Sequence, residues 1–284
     1  MTASPRPGRL GGKVAFVTGA ARGQGRSHCV RLAAEGADVV AFDLCAPVER
    51  RAYIPAATED DLAETARAVA EAGGRAVTIR GDVRAADDLA RARDAGLAAF
   101  GRVDVVCANA GTGSAGKLTH ELDEADWAVT LGVNLTGVWL TVKTFLPHLV
   151  ERGGGSIVLI GSAAALKAVP HLADYVCAKA GVVALTRTVA NEYGHHGVRA
   201  NCICPGNVAT DLVVNDEVLR MFRPDLERPT LADAAPVLAA MAPLAGQPLL
   251  QPSDVSEAVL WLASDDSRWV TGAVLPVDMG MTAT

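Results

Sequence analysis

The sequence predicts an α/β protein: a single Rossmann-type, doubly wound parallel sheet of about seven strands with helices on both faces. Short β-branched runs alternate with longer Ala- and Leu-rich helical stretches, and this alternation is typical of parallel strands joined by crossover helices. The apolar runs VAFV, VDVVCA and SIVLI also lack a clean two-residue alternation. Such runs are expected where helices cover both faces of the sheet.

The individual elements follow in order along the chain. Expected strands are 14–17, 38–42, 76–80, 103–108, 156–160, 199–203 and 274–277. Expected helices are about 24–35, 59–72, 85–99, 124–151, 174–193 and 254–263. Gly73-Gly74 marks one helix end. Thr58, followed by three acidic residues, has the pattern of an N-cap with a negatively charged first turn.

Composition limits the class of protein. The 284 residues are 50% hydrophobic and 20% charged, with a net charge of −6 and no block of Lys or Arg, so we expect no nucleic-acid partner. The start, MTASPRPGRLGG, has no apolar core of a secretory signal. We therefore expect a single cytoplasmic domain over 1–284 with no membrane span. The six cysteines form no CxxC pair, so we expect reduced thiols and no metal site.

A glycine-rich turn lies between the first strand and the first helix. Gly19, Gly23 and Gly25 allow the backbone to turn tightly and to approach a pyrophosphate at the helix N-terminus. The spacing is G-x-x-x-G-x-G, and no G-K-[ST] follows, so the turn favours a dinucleotide over ATP chemistry. Arg22 lies within this turn and is either a phosphate ligand or a surface arginine.

Asp43 ends the second strand, 18 residues after Gly25. A carboxylate there can accept hydrogen bonds from both hydroxyls of the adenosine ribose and would repel a 2′-phosphate. The sequence therefore predicts NAD as the cofactor. Arg50 and Arg51 come too late to bind a 2′-phosphate, and we expect both to be solvated charges.

Three further residues predict acid–base chemistry. Tyr175 and Lys179 are four residues apart on one predicted helix and therefore share a face. A free phenol is a poor base at neutral pH, and a neighbouring ammonium together with an oxidised nicotinamide would lower its pKa. Ser162 follows the fifth strand, where its hydroxyl could meet a carbonyl oxygen.

These motifs resemble the short-chain dehydrogenases/reductases over nearly the whole chain. The motifs are TGAARGQG, CANAG at 107–111, the IGS serine, YVCAK, and PGNVAT at 205–210. The resemblance implies a catalytic tetrad of Asn134, Ser162, Tyr175 and Lys179. In it, Asn134 would hold a water that links Lys179 to solvent, and could also bend its long helix. The family also implies a homotetramer.

The residue patterns and the resemblance together predict the cofactor site. Asp82 and Val83 resemble a pair that contacts adenine, Asn109 a residue that lines the cofactor, and Thr210 a hydroxyl that holds the carboxamide. The expected cofactor-binding residues are Gly19, Arg22, Gly23, Gln24, Gly25, Asp43, Asp82, Val83, Asn109, Ala110, Gly111, Tyr175, Lys179, Pro205, Gly206, Val208 and Thr210. The sequence departs from the family in CANAG, where NNAG is usual, and in VDMG, where VDGG is usual.

A narrower resemblance concerns residues 44–65, which we call the insertion. It separates Asp43 from Asp82 by 39 positions, more than one strand, one helix and one further strand require. With the DLC and GQGRSH segments it is similar to the mycofactocin-coupled, carveol-dehydrogenase-like subfamily, whose members keep NAD bound and need a redox partner to reoxidise it. We expect Tyr53, Ile54 and Pro55 to pack over adenine; the alternative is a surface excursion without contact to NAD.

Residues 207–252, the lid segment, are expected to cover an apolar substrate pocket. The favoured function is hydride transfer between an apolar secondary alcohol and NAD, giving the ketone, with Tyr175 as general acid/base. Epimerisation, dehydration, or NADPH-linked carbonyl or 3-oxoacyl reduction on the same fold remains open, and Asp43 weighs against NADPH. A non-catalytic NAD-binding regulator is the alternative from another class.

Overall fold

The computed structural model describes residues 8–244 and 247–283. Residues 1–7 lie outside that part, and they include most of the N-terminal stretch that was expected not to be a secretory signal. Residues 245 and 246 of the lid segment lie outside it as well. Seven parallel strands form one sheet in the order β3-β2-β1-β4-β5-β6-β7. The strands are β1 Val14–Thr18, β2 Asp38–Asp43, β3 Ala76–Arg80, β4 Val105–Ala108, β5 Gly155–Ile160, β6 Val198–Pro205 and β7 Val274–Val277. The predicted doubly wound parallel sheet is confirmed.

Helices cover both faces of this sheet. They are α1 Gly23–Ala33, α2 Glu59–Glu71, α3 Ala86–Phe100, α4 Glu124–Leu131, α5 Gly137–Glu151, α6 Ala173–Tyr193, α7 Asp216–Phe222, α8 Leu231–Ala240 and α9 Pro252–Ala263. Thr58 caps α2 in a reciprocal capping box with Asp61, as its sequence predicts. β4 starts two residues later than expected, because the Val103 N–H donates to the His148 ring at 3.1 Å.

The predicted helix 124–151 is present over its full length, but its winding changes in the middle. A π-helical segment, Gly132–Thr136, separates α4 from α5 and contains Asn134. The whole stretch Glu124–Glu151 has the length and apolarity of a membrane span, but 56% of its most apolar window is buried within the protein. It is thus a core helix of the sheet, and its π-helical turn is of the kind often found at functional sites.

The lid segment contains two helices that the sequence analysis did not predict, α7 and α8. Its prolines argue against helices, and Pro236 lies within α8. Strong caps favour the helices nevertheless: Asn215 accepts the Val218 N–H at 3.0 Å, and Thr230 forms a capping box with Asp233. A parallel bridge between Val208 and Leu250 joins the two ends of the segment.

The described cysteines carry free thiols, and five are buried while Cys177 is exposed. Two large hydrophobic clusters flank the sheet, one on each face. The strand order reverses between β1 and β4, and all strands are parallel. The carboxyl ends of these central strands therefore form the crevice in which such sheets bind ligands.

Candidate active site

A cavity of about 880 Å³ lies at the carboxyl edge of the sheet. Every residue predicted to bind the cofactor lines it, and so does Ser162. Asn134 is the one predicted site residue outside the lining. The structure thus brings residues from the glycine-rich turn, β2, β4, β5, α6 and the end of β6 to one place.

The glycine-rich turn has the geometry of a phosphate cradle. Gly19 has a φ of +67°, which favours glycine, and a Cβ on Gly25 would stand 1.9 Å from the Gly19 carbonyl oxygen. The Gln24 Oε1 atom and the Asn207 Nδ2 atom are buried without a hydrogen-bond partner among the described residues. Both line the cavity. A backbone cradle with unpaired polar atoms beside it fits a dinucleotide.

Asp43 is held by the main chain at the end of β2. One carboxylate oxygen accepts the Ala21 N–H at 2.9 Å, and the other accepts the Cys45 N–H at 3.0 Å. The residue is only 9% exposed and lines the cavity. Each oxygen keeps lone-pair capacity for a ribose hydroxyl, whereas a 2′-phosphate would meet a buried carboxylate.

Tyr175 and Ser162 form a pair at the other end of the cavity. Burial raises the pKa of the Tyr175 phenol, and a hydrogen bond with Ser162 acts in the opposite direction. The expected lowering of this pKa by the Lys179 ammonium together with an oxidised nicotinamide concerns the NAD-bound protein and stays a prediction. Ser162 also accepts the Ala164 N–H at 3.1 Å, which fixes the start of its short helical turn.

Lys179 lies beneath the Tyr175 ring, with its Nζ 5.7 Å from the ring centroid. It donates to the Ile160 carbonyl at 2.9 Å, and burial lowers its pKa to about 8. Asn134 binds the loop after β4 through both ends of its amide. Its Oδ1 accepts the Thr112 N–H at 2.8 Å, and its Nδ2 donates to the Thr112 carbonyl at 2.9 Å.

Thr18 supports the cofactor wall and was not singled out from the sequence. Its hydroxyl oxygen accepts the N–H groups of Asn109 and Ala110, each at 3.0 Å. The Asn109 side chain donates back to the Thr18 carbonyl at 2.9 Å. Its position as the last residue of β1 is the only signal in the sequence that could have identified it.

Arg51 contradicts the expectation of a solvated charge, since it is only 1% exposed. The guanidinium donates to Gly113 O, Arg50 O, Asp126 Oδ1, Asp126 O and Thr130 Oγ1, at 2.6 to 3.1 Å. It also lies 3.5 Å from an Asp174 carboxylate oxygen. Arg50 is 41% exposed at its side chain and pairs with Asp123 and Asp126. Acidic side chains distant in sequence pair with both charges, but Arg50 is also exposed to solvent, as expected, whereas Arg51 is not.

The insertion lines the cavity along much of its length. Near the predicted adenine pair, Arg84 bridges Asp82 and Glu49 of the insertion. At the other end, the Tyr53 hydroxyl donates to the Ser114 carbonyl at 2.7 Å, and burial raises the Tyr53 pKa to about 12. Tyr53 therefore contacts the loop after β4, and its expected packing over adenine stays a prediction.

Arg22 connects the two segments that border the cavity. Its guanidinium donates to the Asp211 carboxylate of the lid segment at 2.8 Å and to the Pro55 carbonyl of the insertion. Its side chain is 27% exposed. Within residues 8–244 and 247–283, no group of three or more His, Cys, Asp or Glu side chains is arranged to hold a metal ion.

The fold and this site define a class of known proteins. A family model described as "Enoyl-(Acyl carrier protein) reductase" matches residues 19–282. A putative short-chain type dehydrogenase/reductase of Mycolicibacterium smegmatis is 50% identical over 274 residues, which cover 96% of this chain and 98% of that protein. The chain belongs to the short-chain dehydrogenase/reductase family.

Two similar proteins within that family carry a more particular name. The (-)-trans-carveol dehydrogenase of Rhodococcus erythropolis is 44% identical over 278 residues, 96% of this chain and 99% of that one. The crystal structure of carveol dehydrogenase from Mycobacterium avium in complex with NAD superposes with a TM-score of 0.95 at 49% identity. That match covers 98% of this chain and all of the other. The predicted carveol-dehydrogenase-like resemblance is confirmed.

Proposed function

We propose that this chain is an NAD-dependent alcohol dehydrogenase that interconverts a secondary alcohol and its ketone. The observation that carries the proposal is the arrangement of the cavity. The buried Asp43 carboxylate lies at one end, and the bonded Ser162–Tyr175 pair above Lys179 lies at the other. A dinucleotide held between them would have its reactive ring beside the phenol.

Tyr175 is the proposed general acid/base. In alcohol oxidation its phenolate takes the hydroxyl proton, while Ser162 orients the same oxygen by a hydrogen bond. Lys179 stabilises the phenolate by its charge, and its pKa of about 8 allows proton exchange near neutral pH. Bound NAD⁺ would supply the hydride acceptor and a positive charge that favours the phenolate. Asn134 is proposed to connect Lys179 to solvent through a water.

Asp43 supports NAD over NADP. Its two backbone hydrogen bonds keep the carboxylate at the end of β2, where it cannot rotate away from a 2′-phosphate. An NADPH-linked carbonyl or 3-oxoacyl reductase would need a cationic group at this position. We therefore keep that reaction as the alternative, to be decided by comparing NAD and NADP in the same assay.

The substrate side of the cavity supports an apolar alcohol. Residues of the lid segment that line it include Leu212, Val213, Val218, Met221 and Phe222. These side chains would stabilise a hydrocarbon skeleton and leave Ser162 and Tyr175 to bind its single oxygen. Because two similar proteins are named for carveol, a panel of cyclic and aliphatic secondary alcohols should begin with that compound.

We propose that the insertion retains NAD between turnovers. Its ion pair through Glu49, the buried Arg51 and the Tyr53 hydroxyl bond hold it against the cavity. Purified protein should then carry NAD(H) through gel filtration and turn over poorly with added NAD. It should instead reduce a dye or a redox partner, such as a mycofactocin-type carrier, in place. Protein that purifies empty and cycles freely with added NAD would contradict this.

The remaining proposals concern organisation and assembly. We propose one domain over 1–284 with a cytoplasmic location and a homotetrameric assembly. Trp127 on α4 and Trp139 on α5 are 39% and 45% exposed, which suits a surface that pairs with another copy. Light scattering that finds a monomer at micromolar concentration would contradict the tetramer.

Tyr175→Phe tests the proposed reaction. Turnover should fall by at least ~10²–10⁴-fold, because the variant lacks the group that takes the proton. NAD content should stay at the wild-type level. Tyr193→Phe, at the end of the same helix, is the matched control and should keep full activity. A Tyr175→Phe variant with most of the wild-type kcat would refute the role of Tyr175 as general acid/base. Wild-type protein that is inactive on every alcohol would favour the alternative of a non-catalytic NAD-binding regulator.

A further inference from the structure

Arg51 belongs to the insertion, yet its guanidinium lies among residues that support the catalytic helix. Asp126 on α4 and Asp174 on α6 are 4% and 0% exposed, and both face this guanidinium. Thr130 lies between them, accepting from Arg51 at 2.6 Å and donating to Asp174 at 2.7 Å. The insertion is therefore joined to the start of α6 by a buried polar cluster.

Asp174 connects this polar cluster to Tyr175, the next residue in the chain. One carboxylate oxygen accepts the backbone N–H of Tyr175 at 2.9 Å and also receives the Ser114 hydroxyl. Leu172, which precedes α6, makes no side-chain capping bond. The Asp174 carboxylate thus holds the first turn of the helix that carries Tyr175, a part otherwise uncapped.

A fully buried carboxylate keeps its charge only when cations and donors surround it. Asp174 receives hydrogen bonds from Ser114, Thr130 and Tyr175 N–H, and Arg51 is the cation near it. Without Arg51 the buried carboxylate would lose the cation it faces, and either its hydrogen bonds would rearrange or water would enter. Either change would move the first turn of α6 and with it the phenol.

We propose that Arg51 is a positioning residue for Tyr175, acting through Asp174 and Thr130. The insertion then has two roles, since it borders the cofactor and also fixes the catalytic phenol. This inference rests on the proposed role of Tyr175 as general acid/base. It gives a segment outside the proposed catalytic tetrad an indirect influence on the chemical step, exerted through the position of Tyr175.

The test is a double-mutant cycle on NAD-loaded protein, with Arg51→Met, Asp174→Asn and the combination. Arg51→Met should lower kcat by about 10²-fold, the loss that a displacement of about 1 Å can cause, with KM for the alcohol unchanged. The double variant should be no worse than the poorer single variant, because both changes interrupt one connection. Arg67→Met, at an exposed arginine of α2 that pairs with Glu64, should change kcat by less than about twofold.

Three outcomes would overturn the inference. The first is an Arg51→Met variant with wild-type kcat when NAD is bound, which would make Arg51 only an anchor of the insertion. The second is a double variant in which the two losses multiply. The third outcome applies if Arg51→Met fails to fold. Thr130→Val should then lower kcat about 2- to 10-fold, the worth of a hydrogen bond, and an unchanged kcat in that variant would overturn the inference.

Tyr175→Phe separates this inference from the proposed function. An inactive Tyr175→Phe variant beside a fully active Arg51→Met variant refutes the positioning role alone. A Tyr175→Phe variant that remains active refutes the proposed reaction itself.

Discussion

The insertion and the lid segment border the same cavity but are built differently. Charged and polar bonds to the body of the protein hold the middle of the insertion, where Arg51 is fully buried, while its two ends pack into a hydrophobic cluster of the sheet through Cys45 and Leu62. The lid segment has its own small hydrophobic cluster, in which Leu219, Ala234, Leu238 and Leu249 are buried. This cluster is separate from the two that flank the sheet. The middle of the insertion is therefore fixed by directional bonds, and the lid segment is a semi-independent apolar unit.

The difference follows from what each segment is proposed to contact. Directional bonds to a buried guanidinium allow one arrangement of the backbone, which suits a cofactor that stays in place. Apolar contacts are not directional, and Met221, at 42% exposure, can adapt to different hydrocarbon shapes. We expect variants of the two segments to affect NAD retention and alcohol specificity separately.

Deleting residues 46–56 should have the largest effect. The deletion removes Glu49, Arg51 and Tyr53, so NAD release should accelerate by about 10²-fold or more, because lost contacts act mainly on dissociation. Release is measured by NADH fluorescence with excess NAD as a trap. Turnover should fall as well, since Arg51 is lost. A folded deletion variant that keeps NAD through gel filtration would show that the insertion does not retain the cofactor, so the two segments would not differ in this respect.

Met221→Ala should alter the substrate side only. The side chain lines the cavity from α7, and its loss should lower kcat/KM for a bulky apolar alcohol about 10-fold, while NAD release stays unchanged. Val237→Ala is the matched control, because Val237 is similarly exposed in the lid segment and does not line the cavity. Faster NAD release in Met221→Ala would mean that the lid segment also retains the cofactor.

Breaking the link between the insertion and the lid segment should have the smallest effect on NAD release. Asp211→Asn removes the ion pair with Arg22, which is partly exposed and worth about 0–1 kcal/mol, so NAD release should rise by at most about fivefold. Arg22→Gln removes the bond to Pro55 as well. A much larger effect of Arg22→Gln than of Asp211→Asn would assign Arg22 to the phosphate itself, and no effect of either would make the segments independent.

Local patterns predicted the sheet and the helices α1 to α6 and α9, and together with the family resemblance they predicted the cavity lining. Asp43 was identifiable because a strand end and a glycine turn define its position relative to the cofactor. Tyr175 and Lys179 were identifiable because four residues make one helical turn. These are properties of short stretches of sequence, and the parallel sheet then brings their ends together.

Arg51 could not be placed from the sequence. Its partners Asp126 and Asp174 are 75 and 123 positions away, and adjacent charges within a polar segment normally indicate a solvated surface. The burial that raises the pKa of Tyr175 could not be predicted from the sequence either, because burial depends on the whole cavity. The helices α7 and α8 were missed because prolines are prominent in that stretch, whereas their caps depend on single side chains.

The burial of the Arg51 guanidinium also limits the order in which parts of the chain can fold. Arg51 precedes Asp126 and Asp174 in the chain, so its buried ion pairs can close only after α4 and α6 have been made. Docking of the insertion therefore depends on contacts of long sequence separation. A dinucleotide already bound at β1 and β2 at that moment would be enclosed when the insertion docks. If the proposed retention holds, the NAD content of the purified protein should then depend on the free NAD present while the chain is made.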